Sequence, residues 1–341
     1  VLGLNQTIYF IFVVYKNQDM SVSFEEFNTQ TREEWIAKAN QDLKGKKDAN
    51  EFIYFVEEGL QISPFQTNDF VPTAYTIEGP NTISGVIIGE TNEANQVANK
   101  FLENGAQALA FDVNANTNYE NLFDGIHLDM ITTYLMSSNN DLDQNKLSEF
   151  ISSRYSGKST DIVIGDNLAS DSFKKIVAIL DHATTFRNRI QQVTNTFRAL
   201  DDESEYQNTV IKLSLKKDFL AQIAELRAIR VIWSNVLEEK KITFTPLTII
   251  STIDILDDHS EEVHPLIQAN YLLISAYMGM SDIAFGLPYS SEPEMARLSL
   301  NIQHIFKEES LLDRVIDPTR GSYIIESLTD QLVKIGLEDR Q

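Results

Sequence analysis

From about residue 80 the chain alternates short apolar runs with longer helical stretches, and this alternation constrains its fold more than any other feature. Ile83–Gly89 reads as a strand, Thr91–Asn104 as a helix closed by Gly105, and Gln107–Val113 as a strand again. Ile126–Ile131 reads as a weaker strand. Asp161–Ile164 and Thr209–Leu215 read as strands with helices between them. Pro246–Thr252 is a strand, Leu266–Met278 a helix and Asp282–Phe285 a strand. Several of these runs are apolar throughout, which suits a parallel sheet covered on both faces. Repeated βα units of this kind give a barrel or a doubly wound sheet. No G-x-G-x-x-G follows the first strand, which counts against a dinucleotide fold. Two polar stretches, Asn114–Asn118 and the acidic Asp201–Tyr206, read as loops.

The region ahead of the alternation is organised differently. Residues 21–78 read as an N-terminal arm, too small to own a core. Within it Thr31-Arg-Glu-Glu34 is a capping-box pattern opening a short helix through Trp35 and Leu43, which ends at Gly45. A strand at Phe52–Val56 and a turn at Glu58-Gly59 follow. Residues 1–20 look foreign to the rest. Thr7–Tyr15 is an apolar run too short to span a bilayer and without the flanks of a signal peptide. The first methionine is Met20, so residues 1–19 are expected to be upstream sequence. The barrel domain is expected over residues 79–341.

Charge and cysteine content remove whole classes of function. With 50 acidic against 28 basic residues the net charge is −22. Such a chain repels polyanions, and no Lys/Arg stripe marks a nucleic-acid footprint. The absence of cysteine excludes disulfides, thiol nucleophiles and Cys-ligated metals and fits a cytoplasmic protein.

Three segments then carry a family resemblance. Ala221-Gln-Ile-Ala-Glu-Leu-Arg-Ala-Ile-Arg-Val-Ile-Trp233 resembles the helix signature "iAklRAlRrlW" of the methylmalonyl-CoA mutase barrel. Met295–Ser310 resembles that family's "ARlalNiQhilkeES", and Asp317–Thr329 its "DPaGGSyyiEsLT". Phe24, Phe27, Thr31, Trp35, Leu43 and Glu58–Phe65 are similar to the entry segment of the family's small subunits. With gaps, the resemblance runs from about residue 24 to 335.

The same motifs read structurally from their residues. Phe219, Ile223, Leu226, Arg230 and Trp233 share one helix face, with a cation placed for a cation–π contact. Ser291-x-x-Glu294 reads as the cap of the next helix, with an inward stripe of Met295, Leu298, Ile302 and Ile305. Asn301, Gln303, His304 and Glu309 read as hydrogen-bonding ties to neighbouring loops. Asp317-Pro318 reads as a turn and Gly321 as a close-approach position. The family pattern has glycine at position 320, where this chain has Arg320, so an altered loop is expected.

The resemblance implies an α/β fold with a TIM-type (β/α)8 barrel and an extended N-terminal arm. It also implies chemistry by adenosylcobalamin radicals, with a D-x-H-x-x-G loop giving a histidine to cobalt and Tyr, His and Arg around an acyl-CoA. None of His127, His182, His259, His264 and His304 sits in that loop motif. The Tyr- and Arg-rich segment ahead of the first barrel strand is replaced by Gln66–Tyr75. No catalytic, cofactor-binding or metal-ligating residue is therefore carried over. Further departures are Gly279-Met280 for the family's paired glycines, the loss of its small-residue segment near Asn167–Ser172, and the stop at Gln341. These losses could leave the barrel incomplete.

The expectation is a non-catalytic small subunit, binding no cofactor itself, paired with a homologous large subunit that carries adenosylcobalamin; no nucleic acid or membrane partner is expected. Two alternatives stand beside it. One is an acyl-CoA-binding component of a split mutase that borrows cobalamin from a separate chain. The other is a truncated remnant without a partner.

Overall fold

The computed structural model describes residues 30–66, 82–89, 93–137, 141–165, 173–253, 265–288 and 293–338. Residues 1–20 and the cap at Ser291 lie outside them. The chain forms two compact units, Val1–Phe52 and Ile53–Gln341.

In the first unit, α1 (Arg32–Leu43) starts where the sequence places it. Thr31 Oγ1 accepts from the Glu34 amide at 3.2 Å, and the Glu34 carboxylate accepts from the Thr31 amide at 2.9 Å. Two orphan donors of the first turn are thereby satisfied. Lys44 and Gly45, both at positive φ, end the helix.

The second unit opens with an antiparallel hairpin, β1 (Tyr54–Glu57) and β2 (Leu60–Ile62). The barrel strands follow: β3 (Ile83–Ile87), β4 (Ala108–Asp112), β5 (Thr132–Met136), β6 (Asp161–Ile164), β7 (Lys174–Leu180), β8 (Thr209–Ser214), β9 (Thr248–Thr252) and β10 (Ile283–Phe285). They close in the order β10-β3-β4-β5-β6-β7-β8-β9, every pair parallel. This is the expected TIM-type (β/α)8 barrel. Its helices are α2 (Ala94–Glu103), the short α3 (Tyr119–Leu122), α4 (Gln144–Arg154), α5 (Phe186–Ala199), α6 (Glu203–Gln207), α7 (Phe219–Lys240), α8 (Pro265–Met278), α9 (Pro293–Glu308) and α10 (Tyr323–Glu338).

Four expectations need correction. Ile126–Ile131 is a run of turns after Gly125, at φ 75°; Ile126 and Leu128 are buried there as loop residues, and the strand is the β-branched and aromatic Thr132–Met136. Lys174–Leu180, read as part of a helical region, is β7. Asp201–Tyr206 is exposed through Ser204, as expected, but it opens a short helix and is not a loop. Asp202 caps α6 through the Glu205 amide at 2.9 Å, and the buried Tyr206 hydroxyl donates to the Phe197 carbonyl at 2.9 Å. The inward stripe of α9 is Ala296, Ser299, Leu300, Gln303 and Phe306, one position on from the expected set, and Ile305 is exposed.

The core has an inner and an outer shell. Inside the strands lie Ala108, Ala110, Tyr134, Val163, Ile176, Val210, Ile250, Ile283 and Phe285. Outside, one apolar cluster joins α5, α7 and α10 to the strands behind them. A second, rich in aromatic rings, joins α2, α3 and α4. α7 is buried on every side over most of its length, so it is apolar all round instead of striped.

Candidate functional site: the barrel axis and its two mouths

Strand parity decides which side chains enter the barrel axis. Phe285 from β10 and Tyr134 from β5 meet there, ring centroids 6.2 Å apart. Lys212 from β8 places Nζ 5.8 Å from the Tyr134 ring centroid, within cation–π range. Gly85 of β3 makes room for this plug, since a Cβ at that position would lie 2.5 Å from the Phe285 ring. Alanine or any larger residue at 85 would therefore collide with Phe285. The middle layer is filled by large side chains drawn from strands far apart in sequence.

At the N-terminal mouth a depression of about 540 Å³ is lined by Ile83, Gln107, Asp129, Met130, Thr132 and Asp161, among others. Its two carboxylates are paired with lysines. Lys158 Nζ is 2.6 Å from Asp129, and Lys174 Nζ is 2.8 Å from Asp161. The Lys158 hydrogen bond holds the Asp129 carboxyl below its ordinary range. A mouth whose cations are already paired offers little to a polyphosphate.

Around the C-terminal end of β8 lies a buried polar cluster. Arg189 Nε is 2.9 Å from Glu225 Oε1, with both side chains fully buried, and Arg189 Nη1 donates to the Ser214 carbonyl at 3.0 Å. Gln222 donates to Glu225 at 3.0 Å and accepts from the Lys216 amide at 2.7 Å. Lys216 Nζ donates to the Thr184 carbonyl at 2.7 Å and sits 4.1 Å from the Phe186 ring centroid. Burial pushes the Glu225 carboxyl up and the Lys216 ammonium down. These groups spend their hydrogen bonds on one another and on backbone carbonyls, which fixes the angle between α5, α7 and β8.

The family motifs are structural in the same sense. Arg227 Nη2 reaches Glu326 at 2.7 Å and Asp317 at 3.0 Å, and Nη1 donates to Thr329 Oγ1 at 3.1 Å. This ties α7 to α10 and to the Asp317 turn. Arg230 does not make the expected contact with Trp233. It donates to the Met280 carbonyl at 2.6 Å, the Leu247 carbonyl at 3.2 Å and Asp282 at 2.8 Å, while Trp233 packs edge-on to Phe197 and donates to the Thr245 carbonyl. Two buried carbonyls and a carboxylate satisfy a guanidinium fork better than one ring face does. Gln303 and His304 are ties, as expected. Gln303 donates to the Gly85 carbonyl at 3.3 Å and accepts from Tyr277, while a His304 ring nitrogen is 2.8 Å from the Asn104 carbonyl. Asn301 instead lines a small groove of about 170 Å³ between α2 and α9. Glu309 contributes its backbone amide to the Ile305 carbonyl. At the Asp317 turn the positive φ falls on Asp317 and Gly321, not on Arg320. Gly321 has open space beside it, so its requirement is conformational and not one of close approach.

The described histidines lie apart from one another. His127 has 72% of its side chain exposed in the turns before β5, His182 lies beside Asp181 just after β7, and His304 is bonded to Asn104. His259 and His264 lie outside the described residues. Among the described residues no group of three His, Asp or Glu could hold a metal ion, and no helix is long and apolar enough to cross a membrane. The axial plug of Tyr134, Lys212 and Phe285 is absent from the sequence reading. β5 carried its signal in the TTYLM run, but only barrel closure brings the three residues together.

The architecture defines the class: a parallel (β/α)8 barrel protein with a side-chain-filled axis. Comparison with known sequences shows what the chain is similar to. The methylmalonyl-CoA mutase family sequence model matches residues 276–338. Methylmalonyl-CoA mutase of Escherichia coli is 32% identical over 174 residues, covering 43% of this chain and 24% of that protein. The methylmalonyl-CoA mutase small subunit of Porphyromonas gingivalis is 23% identical over 385 aligned positions, covering 91% of this chain and 62% of that protein. That of Streptomyces virginiae is 28% identical over 147 residues, 40% of this chain and 24% of that protein. These matches make the chain similar to methylmalonyl-CoA mutases and to their small subunits, and it spans less than two thirds of the relatives' own length.

Proposed function

We propose that this chain is a non-catalytic barrel subunit of a two-subunit methylmalonyl-CoA mutase, a cytoplasmic scaffold for a homologous large subunit that carries adenosylcobalamin. The observation that carries the reading is the filled axis. An acyl-CoA threaded along the barrel would have to displace the Phe285–Tyr134 pair, and the Phe285 ring occupies the space that Gly85 leaves open. Refilling that volume from outside would forfeit the packing of a close-packed interior. The paired carboxylates of the N-terminal mouth and a net charge of −22 add to the case. The coverage of one small-subunit relative over 91% of the chain supports the same assignment.

The expected outcome is that the purified chain with added adenosylcobalamin gives no methylmalonyl-CoA turnover and shows no bound corrinoid absorbance. Co-expression with the large subunit gives one co-eluting, active complex. Turnover by the isolated chain, or micromolar acyl-CoA binding by calorimetry, would favour the split-mutase alternative.

A further inference from the structure

Among the described residues the β1–β2 hairpin has one covered edge and one open edge. On the β2 side Gln331 of α10 acts as a surrogate strand. Its Oε1 accepts from the Gln61 amide and its Nε2 donates to the Gln61 carbonyl, both at 3.0 Å. Both backbone groups of Gln61 therefore face away from β1. Gln61 is paired with Phe55, so this is a non-hydrogen-bonded pair of the antiparallel ladder, and the Phe55 amide and carbonyl face away from β2. No described residue pairs with them. Tyr54 and Phe55, which point to opposite faces of the strand, are 56% and 67% exposed.

This edge is also rigidly held. Leu60 is fully buried in the α5–α7–α10 cluster. The Glu57 carboxylate accepts from the amides of Phe186 at 2.9 Å and Arg187 at 2.7 Å, capping the N-terminus of α5 from another element. Native proteins usually cover, charge or bend such an edge. Here the irregularity after Phe55 limits it to a short stretch without closing it.

Resting on the subunit reading above, we propose that the outer edge of β1 accepts one extended segment of the large mutase subunit as a third strand. Main-chain bonds to Phe55 would set its register, and apolar side chains on either face would pack on Tyr54 and Phe55. The segment is basic or neutral beside the exposed Glu58, since the chain is acidic overall. The same acidity disfavours a second copy, because two chains of net charge −22 repel.

The test measures binding of the large subunit to wild type, Phe55→Pro, Phe55→Lys and Glu58→Lys. Phe55→Pro removes the outward donor while leaving the β1–β2 ladder, a substitution that edge strands tolerate. Both Phe55 variants are expected to bind at least tenfold more weakly, Glu58→Lys severalfold more weakly at low salt, with wild-type melting curves. Exchange of the Phe55 amide should slow in the complex. Wild-type affinity in both Phe55 variants, or an unprotected Phe55 amide in the complex, overturns the strand proposal and leaves the subunit reading standing. Failure of the wild type to bind overturns both. Self-association of the chain that Phe55→Pro abolishes would assign the edge to a second copy and overturn the proposal.

Discussion

The two halves of the barrel wall share apolar packing but differ in what is added to it. Around α7, guanidinium groups are buried against carboxylates: Arg189 with Glu225, Arg227 with Asp317 and Glu326, and Arg230 with the half-buried Asp282. Around α2, α3 and α4 the seal is a run of rings. Phe111 and Phe123 meet edge-on at 5.6 Å, Tyr119 stacks on Phe123 at 6.1 Å, and Phe150 lies 5.8 Å from Phe123. Rings stabilise through area and shape. Buried ions repay their desolvation only when every partner is in place, so they discriminate sharply between right and wrong packing. Of the three sequence motifs, those on α7 and at Asp317–Thr329 lie in the ionic half, while the one on α9 packs Ala296 and Leu300 into the aromatic half, so the sequence match at residues 276–338 spans both. The contrast implies that the α7 side fixes how α10 and the Asp317 turn sit, and that the aromatic side tolerates change.

The strongest way to break this contrast is Arg227→Met. It leaves Asp317 and Glu326 buried without their cation and should cost about 3–5 kcal/mol of stability, read by urea unfolding. Adding Asp317→Asn and Glu326→Gln should recover much of that loss, because the uncompensated charges go with it. If the single variant loses under about 1 kcal/mol, the pair behaves as a surface ion pair and the contrast between the halves fails.

A smaller effect is expected on the aromatic side. Phe123→Leu keeps an apolar side chain of similar reach and removes the ring contacts with Phe111, Tyr119 and Phe150. The expected cost is about 1–2 kcal/mol, the sum of lost area and ring geometry. A loss as large as that of Arg227→Met would show that the two seals are equally intolerant.

The same division governs what the sequence reveals. Elements held by local chemistry are legible: the Thr31 capping box, the glycine-terminated α2, and the strands of continuous apolar residues. The C-terminal motifs are legible as motifs, yet the partner of Arg230 is not, because Asp282 and Met280 are about fifty residues away in the chain. Two strand assignments failed for opposite reasons. Ile126 and Leu128 are buried in a run of turns and so mimic a strand just ahead of the real one at Thr132, whereas Lys174–Leu180 begins with two lysines, paired to Asp161 and Glu205, that mask a strand. The axial plug was the hardest to read. Tyr134, Lys212 and Phe285 belong to three strands, and each alone reads as an ordinary strand residue.

The finest test of the comparison lies within the aromatic half, at Tyr119. Its ring is buried in the cluster, but its hydroxyl has no hydrogen-bond partner among the described residues. Burial, helped by the nearby Asp143 carboxylate, pushes the phenol up to about 12 from its ordinary 10.0. A folded-state pKa raised above the unfolded one gives stability that is fully present below pH 10 and is lost as pH rises through about 12. Tyr119→Phe keeps the ring and removes the unpaired hydroxyl. It should raise stability at pH 7 by about 0.5–1 kcal/mol, and its melting temperature should fall less than that of wild type between pH 9 and 11. A ring-based seal predicts this gain, since the hydroxyl contributes nothing to the packing. A lower urea midpoint for Tyr119→Phe at pH 7 would instead show that the hydroxyl is bonded in solution, and that this half also depends on polar ties.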